Sequence, residues 1–121
     1  AYSAVFGIFL AQKISNRPLT IVGNGKQTRD FVHVNDLVDA LILAAKKGKP
    51  GEIYNIGSGI ETTVNFIAKI IGGKKTFIPK RAGEPYRSLA CIKKIGQELK
   101  WKPKIKITDG IRMLISNINH L

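Results

Sequence analysis

Apolar residues recur at helical spacing at Val5, Phe6, Phe9, Leu10 and Ile14, which predicts a helix from Val5 to Ile14. It stops before Asn16-Arg17-Pro18, because proline disfavours helical backbone in the residue ahead of it. Leu19 to Val22 is apolar and partly β-branched and is ended by Gly23-Asn24-Gly25, so a short strand and a tight turn are expected. Phe31 to Val34 reads as a second short strand. Asn35 or Asp36 then caps a helix running to about Lys47, with Leu37, Val38, Leu41, Ile42 and Ala45 on one apolar face.

Gly48 and Pro50-Gly51 break that helix, and Ile53 to Ile56 reads as a strand leading into Gly57-Ser58-Gly59. A further helix begins at Thr62 or Thr63, buries Val64, Ile67, Ala68 and Ile71, and ends at Gly72-Gly73. Thr76 to Ile78 is a short strand and Pro79 to Pro85 is irregular. Ile92, Ile95 and Leu99 mark a helix closed by Trp101-Lys102-Pro103, and Thr108 caps a last one with Ile111, Leu114, Ile115 and Ile118 inward. Alternating helices and strands predict an α/β architecture. Only Ile53 to Ile56 has the character of a buried parallel strand, and one strand makes no doubly wound core. The chain is therefore expected to be the later portion of a larger α/β protein, with helix faces meant for a sheet it does not contain.

Composition narrows the function. The 121 residues suit one domain, and an apolar content of 44% can supply its core. No run approaches the roughly 20 apolar residues of a membrane span. The apolar stretch from Ala1 to Leu10 lacks a basic leader and a cleavage site, so no membrane partner and a cytoplasmic location are expected. A single cysteine and two histidines exclude a disulfide framework and a zinc scaffold. Twenty cations against eight acids give a net charge of +12, which raises nucleic acid as a partner. Fifteen of those cations are lysines scattered in ones and twos, the pattern of solvated faces, so no nucleic-acid partner is expected. Arg29 and Arg81 are more pointed. Each lies near glycine in a loop, where a planar guanidinium can hold a phosphate through two parallel hydrogen bonds.

The segment Gly23-Asn24-Gly25-Lys26-Gln27-Thr28-Arg29-Asp30-Phe31-Val32-His33-Val34-Asn35-Asp36 combines a close-approach glycine turn with Gln27 and Arg29 as donors for an anionic, oxygen-rich ligand. With the strand before it and the helix after it, this resembles the substrate-binding half of the NAD-dependent epimerase/dehydratase family, extended short-chain dehydrogenase/reductases that act on nucleotide sugars. The resemblance continues through Gly51 to Gly59, Arg81-Ala82-Gly83-Glu84-Pro85, Ser88-Leu89-Ala90 and Leu99 to Pro103, in the family's order over nearly the whole chain.

The resemblance implies roles residue by residue. Backbone groups of Leu19 to Val22 would face the nucleotide base, placing Thr20 and Val22 beside it. Arg29 would grip the diphosphate and Arg81 would grip it from the other side, with Gln27 and Glu84 in the same binding set. Ser88 falls where residue size varies beside the hexose, and its small side chain implies room for an N-acetyl group. Asp30 is expected to be a structural partner, Asp36 a helix cap, and His33 a packing residue. Cys91, where the family often has Asp, reads as a small buried residue.

The family's Gly-x-x-Gly-x-x-Gly fingerprint and its Tyr-x-x-x-Lys pair do not occur here; Tyr2, Tyr54 and Tyr86 are followed four residues later by Phe6, Ser58 and Ala90. The implied NAD cofactor and the catalytic residues would thus belong to a part preceding this chain. The resulting expectation is a single nucleotide-sugar-binding fragment, residues 1–121, the C-terminal part of an extended short-chain dehydrogenase/reductase without its N-terminal Rossmann part. The activity expected of the whole enzyme is that of a UDP-glucose or UDP-N-acetylglucosamine 4-epimerase, with a UDP-hexose or UDP-N-acetylhexosamine ligand and a homo-oligomeric state. The nearest rival is a nucleotide-sugar 4,6-dehydratase, and from another class a basic nucleic-acid-binding module.

Overall fold

Strand alternation divides the molecule into a core side and an open side. In the computed structural model, which describes residues 4–118, Leu19 and Ile21 of β1 (Leu19–Val22) are buried, while Thr20 and Val22 between them are half-buried. Around β1 the chain runs α1 (Val5–Ile14), β2 (Thr28–Asp30), α2 (Val34–Lys47), β3 (Glu61–Thr63), α3 (Val64–Ile71), β4 (Lys75–Ile78), α4 (Lys93–Leu99) and α5 (Ile107–Ile118).

Two small sheets hold this together. β1 pairs in parallel with β4, from Leu19 opposite Lys75 to Val22 opposite Ile78. β2 and β3 are antiparallel, with Arg29 opposite Thr62. The main core packs Phe9 of α1, Leu19 and Ile21 of β1, Val64, Ile67, Ala68 and Ile71 of α3, and Ile111 of α5. A second cluster joins Ala40 of α2 to Ile95, Leu99 and Trp101, with Tyr54 and Ile56 packed against it. α3 follows its local signals closely: the Thr63 hydroxyl accepts from Phe66 N at 3.1 Å, and Gly72 ends the helix with φ of 73°.

Several expectations are corrected. The second strand is Thr28–Asp30 rather than Phe31 to Val34, because its ladder is set by β3, a polar strand with no apolar alternation to announce it. Ile53 to Ile56 is not a strand among the described residues, since no neighbour lies beside it to complete a ladder; Tyr54 and Ile56 still point inward while Ile53 and Asn55 are exposed. The parallel pair is β1 with β4 instead.

α2 packs through Ala40, Leu43 and Ala44, leaving Val38, Leu41 and Ile42 outside. The small Ala40 lets α4 approach, and the larger apolar residues fall on the opposite side of the turn. That helix is capped by His33, whose Nδ1 accepts from Asn35 N at 3.1 Å, so neither Asn35 nor Asp36 is the cap. Asp36 is buried and its Oδ2 accepts from Lys104 N at 3.0 Å and Ile105 N at 2.9 Å, while Trp101 Nε1 donates to its backbone oxygen. It is a brace for the segment entering α5. Thr108 lies inside the first turn of α5 rather than ahead of it, Leu114 is exposed, and so is Cys91. No helix among the described residues is long and apolar enough to cross a membrane.

Candidate functional site

The half-buried side of β1 opens onto a cleft of about 860 Å³ bounded by α1, β1, β2 and the irregular segment after β4. Six of the seven residues singled out from the sequence line it: Thr20, Val22, Gln27, Arg29, Arg81 and Glu84. Ser88 does not. It is exposed and lies outside the lining.

Local hydrogen bonds explain how the lining is held. Gln12 of α1 bonds Thr20 twice, donating from Nε2 to Oγ1 at 2.8 Å and accepting from Thr20 N at 3.0 Å. The Gly23-Asn24-Gly25 turn folds over the start of α3, where Asn65 N donates to Gly25 O at 3.0 Å and Asn65 Nδ2 to Asn24 O at 2.9 Å. Gln27, expected as a free donor, instead gives its Nε2 to Val22 O at 2.9 Å and so ties the turn to the end of β1. Arg29 donates from Nη1 to Thr28 O at 2.7 Å, and Arg81 lies 3.6 Å from Glu84. This Arg81–Glu84 pair is local and solvent-exposed.

Asp30 is structural, as expected. Its carboxylate accepts from Ser58 N and Ser58 Oγ, both at 2.6 Å, from Gly59 N at 2.9 Å and from Ala90 N at 3.2 Å. Sequence reading missed a second connection. Arg87 donates to Glu61 through Nε at 2.8 Å and Nη2 at 2.6 Å, and the Thr28 hydroxyl donates to the same carboxylate at 2.7 Å. The available signal was the position of Arg87 between Arg81 and Ala90, inside a segment already marked as informative.

Those donors lower the Glu61 pKa from its ordinary 4.5 to about 2, the Arg87 hydrogen bond being the largest cause and the Thr28 bond next. Because the folded value is the depressed one, the interaction contributes fully above pH 4.5 and is lost as pH falls toward 2. Acid titration of the urea midpoint should therefore show a component between those two values that is missing in Glu61→Gln. An unchanged profile in the variant would remove Glu61 from acid unfolding.

Neither glycine turn is open as a phosphate cradle. In the Gly57-Ser58-Gly59 turn, the N–H groups of Ser58 and Gly59 are taken by the Asp30 carboxylate, and in the other glycine turn Gly23 N donates to Ile78 O and Lys26 N to Asn24 Oδ1. Tyr54, whose hydroxyl donates to Glu98 and accepts from Lys49 N, is likewise a bracing residue. No cluster of metal-binding side chains occurs among the described residues.

Comparison with known proteins agrees with the motifs. The profile of the NAD dependent epimerase/dehydratase family matches residues 2–57. A Methanocaldococcus jannaschii protein provisionally assigned as a UDP-glucose 4-epimerase is 38% identical over 120 residues, covering 94% of this chain and 38% of that protein. UDP-glucose 4-epimerase of Mycolicibacterium smegmatis is 31% identical over 115 residues, covering 90% of this chain and 37% of its own. The structure of UDP-glucose 4-epimerase from Thermotoga maritima, solved with UDP-glucose, superposes with a TM-score of 0.91 at 29% identity over 99% of this chain and 40% of that one. The chain thus spans well under half the length of these relatives. Its α/β fold and the order of its motifs along the chain are those of the NAD-dependent epimerase/dehydratase family.

Proposed function

We propose that residues 1–121 form one nucleotide-sugar-binding unit of a UDP-sugar 4-epimerase, with UDP-glucose or UDP-N-acetylglucosamine as the ligand. The observation that carries this reading is the presence of Arg29 and Arg81 in one cleft, on separate segments, with Thr20 and Val22 on its β1 wall. Two guanidinium groups reaching a diphosphate from two sides supply charge-assisted, paired hydrogen bonds to a doubly charged bridge. The base would lie along β1, and Glu84 would orient Arg81 toward the phosphates. Similarity to UDP-glucose 4-epimerases supports 4-epimerisation, and 4,6-dehydration is the second reading because dehydratases match at comparable identity.

The reading gives this chain a binding role, and NAD with its hydride chemistry would be held outside these residues. Exposed apolar side chains support such a division: Val34 at 61%, Leu41 at 55% and Ile42 at 48% form a stripe along α2, and Ile53 is exposed to 80%. A face of this kind suits packing against further structure.

A nitrogen-15 NMR titration, which reads millimolar affinities, tests the proposal. UDP-glucose should shift amides around β1, Arg29 and Arg81, and Arg29→Ala with Arg81→Ala should weaken it by at least about tenfold, the loss of more than one charge-assisted hydrogen bond. Equal affinity in the double variant would defeat the assignment of the two arginines. Binding of duplex DNA in place of UDP-glucose, falling steeply with salt, would favour the nucleic-acid reading instead.

A further inference from the structure

The two arginines of the cleft do not hold their own segments together. Arg29 donates to the carbonyl of the residue before it, and Arg81 pairs with Glu84 only three residues on. Every side chain from Arg81 to Leu89 is exposed, so the segment bearing Arg81 has little apolar packing to fix it. What fixes it is a set of ties to β2 and β3. Thr28 N donates to Tyr86 O at 2.9 Å, Ala90 N donates to Asp30, and between these two ties Arg87 closes on Glu61 through two parallel bonds of 2.8 and 2.6 Å. Glu61 sits opposite Asp30 in the β2–β3 ladder and also accepts from Thr28, the residue before Arg29. Neither Arg87 nor Glu61 lines the cleft.

We propose that Arg87 and Glu61 form a latch between the segment carrying Arg81 and the antiparallel β2–β3 pair carrying Arg29, so that Arg87 is a positioning residue for diphosphate binding without touching the ligand. The inference rests on the nucleotide-sugar reading above. Exposed ion pairs generally contribute little to stability, with bidentate geometry and membership of a network as the exceptions, and this pair has both. Its effect on binding comes from preorganisation: a clamp whose halves are already spaced for the ligand does not lose freedom when the ligand arrives.

The same NMR titration separates this role from a general structural one, using UDP-glucose and uridine, which lacks the diphosphate. Arg87→Ala and Glu61→Gln should each weaken UDP-glucose by roughly three- to tenfold, the cost of ordering one or two side chains on binding, and leave uridine within about twofold. Arg87→Lys keeps the charge but not the fork and should fall between. Exchanging the charges, Glu61→Arg with Arg87→Glu, should bring UDP-glucose back to within about threefold of the starting affinity. If Arg87→Ala proves too unstable to titrate, the near-isosteric Glu61→Gln gives the same reading.

Unchanged UDP-glucose affinity in Arg87→Ala or Glu61→Gln, or a parallel loss for uridine, would overturn the latch while leaving the clamp in place. Failure of the unsubstituted chain to bind UDP-glucose at all would instead overturn the parent reading, and is seen before any variant is made.

Discussion

Asp30→Ala should melt about 10–15 °C below the unsubstituted chain, a loss of about 3 kcal/mol. The carboxylate receives four hydrogen bonds from two distant stretches, Ser58-Gly59 and Ala90, and its removal strands three backbone N–H groups at once. Bonds to a charged acceptor contribute about 1.5–3 kcal/mol each, and water reaching the exposed Gly59 offsets part of the sum. No other residue can step in, because Gly57 packs so tightly that an added Cβ there would stand 2.5 Å from Ala90 Cβ and 2.7 Å from Asp30 Oδ2. The pieces meet only with a short acid and a glycine in contact. Because Asp30 follows Arg29 on β2, the variant should also lose UDP-glucose affinity. Circular dichroism reads the melting temperature; a fall of less than about 4 °C, near 1 kcal/mol, would show that this carboxylate is not the brace described.

Where the structure follows the sequence, the signals are local. α1 has the expected bounds, and α3 starts at Val64, just after the expected Thr63 that caps it, because their stop and start residues act within a turn: Pro18 beyond α1, Thr63 and Gly72 at the ends of α3. β2 and β3 are legible only together. Thr28-Arg29-Asp30 and Glu61-Thr62-Thr63 are polar, lie over thirty residues apart, and become strands by pairing with each other. α2 shows the converse problem, having apolar residues on two sides, and periodicity alone cannot say which side this chain covers.

The candidate site divides in the same way. Thr20, Val22, Gln27, Arg29, Arg81 and Glu84 are marked by motif residues and reach one cleft. What the sequence does not announce there is the bond from Gln27 to the Val22 carbonyl, which fixes that side chain at the end of β1. Asp36 and Glu61 are harder cases. Eight acids among twenty cations leave each carboxylate with many possible partners, and the actual ones, Lys104 and Ile105 backbone for Asp36 and Arg87 for Glu61, are distant in sequence. Ser88 shows the limit of motif spacing: seven residues after Arg81 says nothing about which way an irregular segment faces.

Gly25→Ala should cost about 3–5 kcal/mol, against about 1 kcal/mol for Gly51→Ala, and the contrast isolates packing from torsion. Both glycines hold left-handed backbone, with φ of 70° and 78° respectively. A Cβ at Gly51 would meet nothing within 4 Å, so that variant bears only the left-handed strain. At Gly25 the added carbon would stand 1.9 Å from Asn65 Oδ1 and 2.8 Å from Ile21 Cγ2, the latter in the fully buried core. Asn65 would have to leave, giving up its bond to Asn24 O and unseating the turn from the start of α3. The damage should then reach the ligand, because this turn leads into Gln27 and Arg29, so Gly25→Ala should also weaken UDP-glucose while Gly51→Ala leaves it alone. Urea midpoints and the NMR titration measure the two effects. Equal losses of stability at Gly25 and Gly51 would reduce the first glycine to its torsion and dissolve the link from turn packing to the position of Arg29.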